Sequence, residues 1–154
     1  MKTIIITGSP GTGKTRLAKK LAKQKHYEYI NVAKLVKQGK LYDKYDRKRR
    51  TYVVDTKKLN KFLIEIIKTY KNNKIKGIII DSHMSHFLPK KYVDLCIVTK
   101  CELKKLKKRL QKRKYNKAKI RENLDCEIFD VCLTEAKERK HKIKVVDTNK
   151  RKKT

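Results

Sequence analysis

Three features of the sequence predict an α/β domain with a parallel sheet and helices on both faces. Short apolar runs alternate with amphipathic stretches, the pattern of repeated strand–helix–strand units. The first run, Lys2 to Thr7, ends in the glycine-rich segment Gly8-Ser9-Pro10-Gly11-Thr12-Gly13-Lys14-Thr15. The run Gly77-Ile78-Ile79-Ile80-Asp81 is apolar until its final acid, as a strand buried on both faces should be. At 154 residues the chain has the length of one domain with one core.

Each element follows from its local pattern. Lys2 to Thr7 is a buried Ile-rich strand stopped by Gly8. Lys14 to Lys25 is a helix with Leu17, Ala18, Leu21 and Ala22 on one face. Tyr27 to Ile30 is a short strand, and Asn31 is placed to cap a helix over Val32 to Gln38. Residues 39–51 are polar and predict irregular structure. Asp55 or Thr56 caps a long helix to Tyr70, with the stripe Leu59, Phe62, Leu63, Ile66, Ile67 and Tyr70. Gly77 to Asp81 and Tyr92 to Thr99 are strands, and Leu103, Leu106 and Leu110 mark a helix. Lys112 to Lys117 breaks the periodicity. Ile120, Leu124, Ile128 and Val131 then predict one further long helix, and Lys142 to Val146 a last strand. The single domain spans residues 1–147, and the basic segment 148–154 is expected to be a disordered tail.

Composition narrows the chemistry. Forty-five Lys and Arg against 15 Asp and Glu give a net charge of +30. Such a field concentrates polyanions, so nucleotides, RNA and acidic proteins are candidate ligands. Compositional drift toward Lys is the alternative. Cys96, Cys101, Cys126 and Cys132 show no metal-ligand spacing and read as reduced, small apolar residues. No signal peptide is expected in the short run ahead of the glycine loop. No apolar stretch approaches the roughly 20 residues that span a bilayer. The expected location is therefore the cytoplasm, with no membrane partner.

Gly8-x4-Gly13-Lys14-Thr15 meets every position of the P-loop pattern, in the strand-to-helix context that pattern needs. Glycines let the backbone curl so that N–H groups face phosphate oxygens, and the helix start adds its positive dipole end. Lys14 is expected to reach the β- and γ-phosphates of ATP, and the Thr15 hydroxyl to ligate magnesium. Gly11, Gly13 and Arg16 complete the expected ATP contacts. Asp81 ends a buried strand, where a second magnesium ligand belongs; a turn-capping aspartate is the plainer alternative. His83, two residues on, is placed to orient water or phosphate, or is a structural loop histidine. Arg109 and Arg113 are one helical turn apart and suit a transferring phosphoryl group. In a stretch crowded with Lys104, Lys105, Lys107 and Lys108, they equally suit a solvated basic face.

Together these motifs resemble the small adenylate-kinase-like group of archaea and eukaryotic nuclei, the coilin-interacting nuclear ATPase type. The likeness covers about residues 3–140. Besides the P-loop it rests on Tyr29-Ile30-Asn31-Val32, Leu41-Tyr42-Asp43 with Tyr45-Asp46, and Asp81-Ser82-His83. It continues in Arg109-Leu110, Arg113-Lys114-Tyr115-Asn116, Glu122-Asn123-Leu124 and Cys126-Glu127-Ile128-Phe129. The resemblance implies a P-loop fold of the nucleoside monophosphate kinase type with strand order 2-3-1-4-5. It implies a monophosphate-binding segment near 31–54, carrying Asn31, Lys37, Tyr42, Asp43 and Asp46, and a short lid near 112–122. It further implies a broad-specificity nucleoside monophosphate kinase with ATPase activity, using magnesium with ATP. Its place is late small-ribosomal-subunit maturation and rRNA processing, with one small-subunit ribosomal protein as partner. His83 is tied to ATP hydrolysis, Arg109 to ATP at the lid base, and Arg113 to the lid.

Two departures bear on turnover. Lys37 stands where the family often has arginine, which keeps the charge but loses the guanidinium fork. Lys114 stands where the lid motif has glycine, which stiffens that hinge. Three functions remain open: transfer of the ATP γ-phosphoryl to AMP or another monophosphate, an ATPase switch for ribosome assembly, and a small-metabolite P-loop kinase. Asp81-Ser82-His83 and the short lid argue against the last.

Overall fold

The computed structural model describes residues 1–49 and 51–149. Along the chain come β1 (Lys2–Thr7), α1 (Lys14–Lys25), β2 (Glu28–Asn31) and α2 (Val32–Gln38). A hairpin of β3 (Lys44–Asp46) and β4 (Thr51–Val53) precedes α3 (Thr56–Asn72) and β5 (Gly77–Asp81). Two 3₁₀ turns lead to β6 (Leu95–Lys100). Then follow α4 (Leu103–Lys112), α5 (Lys117–Ile128), α6 (Val131–Glu138) and β7 (Ile143–Asp147).

Five strands form a parallel sheet in the order β2-β5-β1-β6-β7. Counted within that sheet, this is the expected order 2-3-1-4-5. Alternation along the strands splits the core into two layers. Ile4, Ile6, Ile79 and Ile97 pack with Ala18 and Ala22 of α1. Ile5, Ile30, Ile78, Ile80 and Val98 face the other way, against α2, α3 and Ala136 of α6. Ile5, Ile6, Ile78, Ile79 and Ile80 are wholly inaccessible, each contributing about 1.5–3 kcal/mol by leaving water. The sheet is thus covered on both faces, and its strands end together at one edge.

The helix starts have local causes. Asn31 accepts a hydrogen bond from Lys34 N, and Asp55 accepts from Lys57 N and Lys58 N. In α3 the seam Leu59, Leu63 and Ile67 is buried, while Phe62, Ile66 and Tyr70 flank it half-buried.

The structure corrects several element boundaries. Residues 39–51 are not wholly irregular, because Tyr45 and Tyr52 pair across the hairpin and Tyr52 also packs on Tyr42. The fourth sheet strand starts at Leu95, since residues 90–92 are taken into a 3₁₀ turn after Pro89. The helix expected through Ile120 and Val131 is two helices. Asp130 turns left-handed at φ 49° between α5 and α6. There Lys100 Nζ donates to both the Glu127 and Asp130 carboxylates, which fixes the break. Thr148 and Asn149, assigned to the tail, are bonded to the domain. Thr148 N donates to Lys100 O at 2.9 Å, and Thr148 Oγ1 donates to Thr12 O. The rest of that tail, 150–154, lies outside the described residues. Among the described residues no helix is long and apolar enough to cross a membrane.

Candidate functional site

The glycine loop leaves β1 through a backbone path that side chains would block. Gly8 has φ +148°, and a Cβ there would lie 2.2 Å from Thr99 Oγ1. That close approach serves a link: the hydroxyls of Thr12 and Thr99 are 2.7 Å apart, and Thr12 Oγ1 donates to Ser9 O at 2.6 Å. The loop is thereby tied to the end of β6. Gly13, at φ 89°, opens α1 with no side chain capping it. The first N–H groups of α1 are therefore left to an anion, with the helix dipole behind them.

Lys14 Nζ donates back across the loop to Gly8 O at 2.9 Å and Ser9 O at 3.0 Å. Burial pushes its pKa down to about 8, against the pull of the Asp81 carboxylate. Asp81 ends β5, level with Ile6 of β1 and Asn31 of β2 in the sheet register. Its Oδ2 accepts from Thr15 Oγ1 at 2.7 Å and from Tyr29 OH at 2.8 Å. Burial and that bond hold the Tyr29 phenol above its usual range. Thr15 and Asp81 offer paired hard oxygen donors, the type magnesium accepts. Among the described residues no cluster of three acidic, His or Cys side chains forms a dedicated metal cage. The pair fits an ion that takes its other ligands from phosphates and water.

His83 sits in the turn after β5, since the strand stops at Asp81. Its carbonyl accepts from Thr7 Oγ1 at 3.3 Å, which fixes the turn. Its ring is reached by solvent in the cleft yet is surrounded by protein. Desolvation, then the Lys14 and His86 charges, lower its pKa to about 4, a shift that the cleft water screens in part.

These side chains share a cavity of about 1240 Å³, lined by Lys14, Thr15, Arg16, Asp81, His83 and Arg113 among others. Gly11 and Gly13 border it, as does Asn31. Arg109 and Arg113 do not face one way. Arg113 lies one residue past the end of α4 and turns toward the cavity. Arg109 stays on the helix and donates to Gly11 O at 3.2 Å and Thr148 O at 3.3 Å, clamping the glycine loop. Lys114, where the lid motif has glycine, is left-handed at φ 58°. The backbone thus keeps a glycine conformation there and bears its strain.

On the opposite wall, the structure does not bring Lys37, Tyr42, Asp43 or Asp46 to the cavity. Lys37 is exposed on α2, and Tyr42 packs on Tyr52 with ring centroids 4.4 Å apart. Asp43 pairs with Lys58 at 3.3 Å, and Asp46 caps Lys48 N and Arg49 N at 3.0 and 3.2 Å. Arg49, Thr51, Tyr52 and Val54 line that wall instead. Arg49 also bridges the mouth to Glu122 of α5 at 3.4 Å. Sequence reasoning missed Arg49 because it stands in the run Arg47-Lys48-Arg49-Arg50, where one cavity-lining cation looks like its neighbours.

The family model described as an AAA domain matches residues 4–130. The chain is 41% identical over 148 residues to a putative adenylate kinase of Methanocaldococcus jannaschii, spanning 96% of this chain and 77% of that one. It belongs to the adenylate kinase-like P-loop family. A second family member, an adenylate kinase isoenzyme 6 homolog of Dictyostelium discoideum, is 38% identical over 135 residues, 87% of this chain and 73% of the relative. Among solved structures, shikimate kinase from Acinetobacter baumannii superposes with a TM-score of 0.67 at 12% identity, over 98% of this chain and 86% of that one. That likeness shows the fold of the family and no more.

Proposed function

We propose that this chain is a nucleoside monophosphate kinase that moves the γ-phosphoryl of ATP to AMP or another monophosphate. The observation that carries the reading is the shared cavity, with Lys14, Thr15 and Asp81 on one side and Arg113 and Arg49 on the others. The uncapped start of α1 and the loop N–H groups bind the triphosphate. Lys14 leaves the Gly8 and Ser9 carbonyls for the β- and γ-phosphates. Thr15 and Asp81 would hold magnesium, which supplies charge neutralisation on the phosphate oxygens. Arg113 meets the equatorial oxygens as charge spreads over them, and Arg109 holds the loop in place. A phosphate oxygen of the monophosphate attacks the γ-phosphorus, the bond to the β–γ bridging oxygen breaks, and ADP departs. No protein nucleophile is needed. The exposed Arg49–Glu122 pair spans from the hairpin to α5.

With no monophosphate bound, the same site hydrolyses ATP, and neutral His83 orients the attacking water. The test is ATP turnover measured with and without each nucleoside monophosphate. Turnover unchanged by every monophosphate would leave an ATPase.

A second reading is favoured by the net charge of +30. In it, the ATPase acts in the cytoplasm during late maturation of the small ribosomal subunit, touching ribosomal RNA and one small-subunit ribosomal protein. The family resemblance supports the protein partner, and counterion release supports the RNA contact. Pull-down at rising salt, with ADP or a non-hydrolysable ATP analogue, tests it. RNA should dissociate first, and recovery of no ribosomal protein in any condition would rule the reading out.

A further inference from the structure

Three buried polar side-chain atoms lack a hydrogen-bond partner among the described residues: Asn60 Oδ1, His141 Nδ1 and Asn123 Nδ2. Asn60 and His141 bond through their other polar atom, donating to Phe87 O at 2.9 Å and His86 O at 2.8 Å. Neither lines the large cavity, whereas Asn123 does. Turning the Asn123 amide over would bury Oδ1 unpaired instead, so one end lacks a partner in either orientation. A buried donor without a partner costs stability, and one on a cavity wall is placed to regain that cost from a ligand. The position follows from the sequence of α5. On one side of the helix, Ile120 and Leu124 pack with Tyr115 against Leu106 and Leu110 of α4. On the next, Lys119, Glu122 and Cys126 line the cavity. At about 3.6 residues per turn, Asn123 falls on the border of these two faces, half-buried. One turn further on, Glu127 ties the helix to the nucleotide loop. Its carboxylate accepts from Cys101 N at 3.1 Å and from Lys100 Nζ. The neighbouring Thr99 hydroxyl meets that of Thr12 at 2.7 Å. Asn123 is thus held one helical turn from a point fixed to the glycine loop.

We propose that Asn123 is a binding residue for the terminal phosphate of ATP, its amide N–H donating to a γ-phosphate oxygen, an inference that rests on the nucleotide reading of the cavity. The loop N–H groups and the start of α1 enclose the inner phosphates, which leaves the terminal one projecting into the cavity. Rotation about the last side-chain bond turns the Asn123 donor toward it. Lys14, Arg113 and Lys119 line the same cavity and supply positive charge. The amide supplies direction instead: it pairs with one oxygen in one geometry and adds no further like charge to a crowded cationic site. It therefore distinguishes a nucleotide that carries the terminal phosphate from one that has lost it.

The experiment measures binding of ADP and of a non-hydrolysable ATP analogue, each with magnesium, by calorimetry on the full chain and on Asn123→Leu. Asn123→Leu should bind the analogue about tenfold more weakly, the worth of one hydrogen bond to a charged group, and should bind ADP like the wild type. Its Tm without ligand should rise by about 2–4 °C, because the unpaired donor is gone. Asn123→Asp keeps the shape and removes the donor, so it should lose the same preference for the triphosphate and carries the test where the leucine variant does not fold. Equal weakening of both nucleotides with a lower Tm would make Asn123 a structural residue of α5 and overturn the proposal. Unchanged affinity for the analogue in a folded variant would overturn it as well, whatever the Tm. The two failures are distinct: a wild type that binds neither nucleotide counts against the nucleotide reading, and a wild type that binds both, with no loss in the variants, counts against Asn123 alone.

Discussion

Tyr29 donates its hydroxyl to Asp81 Oδ2 at 2.8 Å, the same oxygen that accepts the Thr15 hydroxyl at 2.7 Å. One carboxylate oxygen is thus held between two strands and the start of α1. The Tyr29 hydroxyl donates to that carboxylate, so it acts as a positioning residue for Asp81. Tyr29→Phe keeps the ring and removes the bond. The magnesium concentration for half-maximal ATP turnover should rise about fivefold, the equivalent of one hydrogen bond near 1 kcal/mol. Turnover at saturating magnesium should stay close to wild type. An unchanged magnesium requirement would show that Tyr29 supports the strand only.

Lys14 gives the site a pH signature. Its pKa is lowered to about 8 by burial, so above pH 8 the free protein holds it increasingly deprotonated. A triphosphate binds the ammonium form and raises that pKa. Binding therefore takes up a proton, and ATP affinity falls as pH rises above 8, by at most about tenfold per unit for one proton. Calorimetry at pH 8.5 in buffers of different ionisation enthalpy should show that uptake. No uptake would mean that Lys14 is fully charged before ATP arrives.

The buried strands, the glycine loop and Asp81 at a strand end were legible in the sequence, because each carries its own local pattern; the order of the strands in the sheet was legible only through the family resemblance. The α5–α6 break was not. Ile128 and Val131 keep helical spacing across it, and its cause is Lys100, about 30 residues away, reaching Glu127 and Asp130. The hairpin side of the cavity was hidden for a related reason. Whether Asp43, Asp46 or Arg49 meets the cavity depends on how the three-residue strands of the hairpin pair, and strands that short leave little periodicity to read. Arg109 and Arg113 share a helical spacing, but Arg113 lies past the helix end, so the spacing misled.

His83 should separate hydrolysis from transfer. With its pKa lowered to about 4 it is neutral at pH 7, and it faces the cavity two residues past Asp81. Hydrolysis needs a placed water, whereas a monophosphate brings its own nucleophile. In His83→Ala, ATP hydrolysis without AMP should fall at least about tenfold further than AMP phosphorylation, within the usual worth of a positioned side chain. Equal loss of both activities would assign His83 to the architecture of the turn.

The two arginines should part by the quantity each changes. Arg109→Ala removes the donors to Gly11 O and Thr148 O, so it should lower Tm and raise the KM for ATP. Arg113→Ala should leave Tm unchanged and lower kcat on the order of a hundredfold, as for removal of one transition-state donor. Arg113→Ala with normal kcat and weakened ATP binding would place its role in the ground state.

The central claim is that one cavity brings ATP and a monophosphate together over Lys14. The most direct measurement is ADP formed from ATP and AMP, followed chromatographically for the wild type and for Lys14→Ala, with circular dichroism to confirm that both are folded. The wild type should make two ADP for each AMP consumed, and Lys14→Ala should lose at least about a hundredfold in rate, the scale of one lost electrostatic stabiliser. A folded Lys14→Ala with near-normal turnover, or a wild type that makes ADP without consuming AMP or any other monophosphate, would contradict the account.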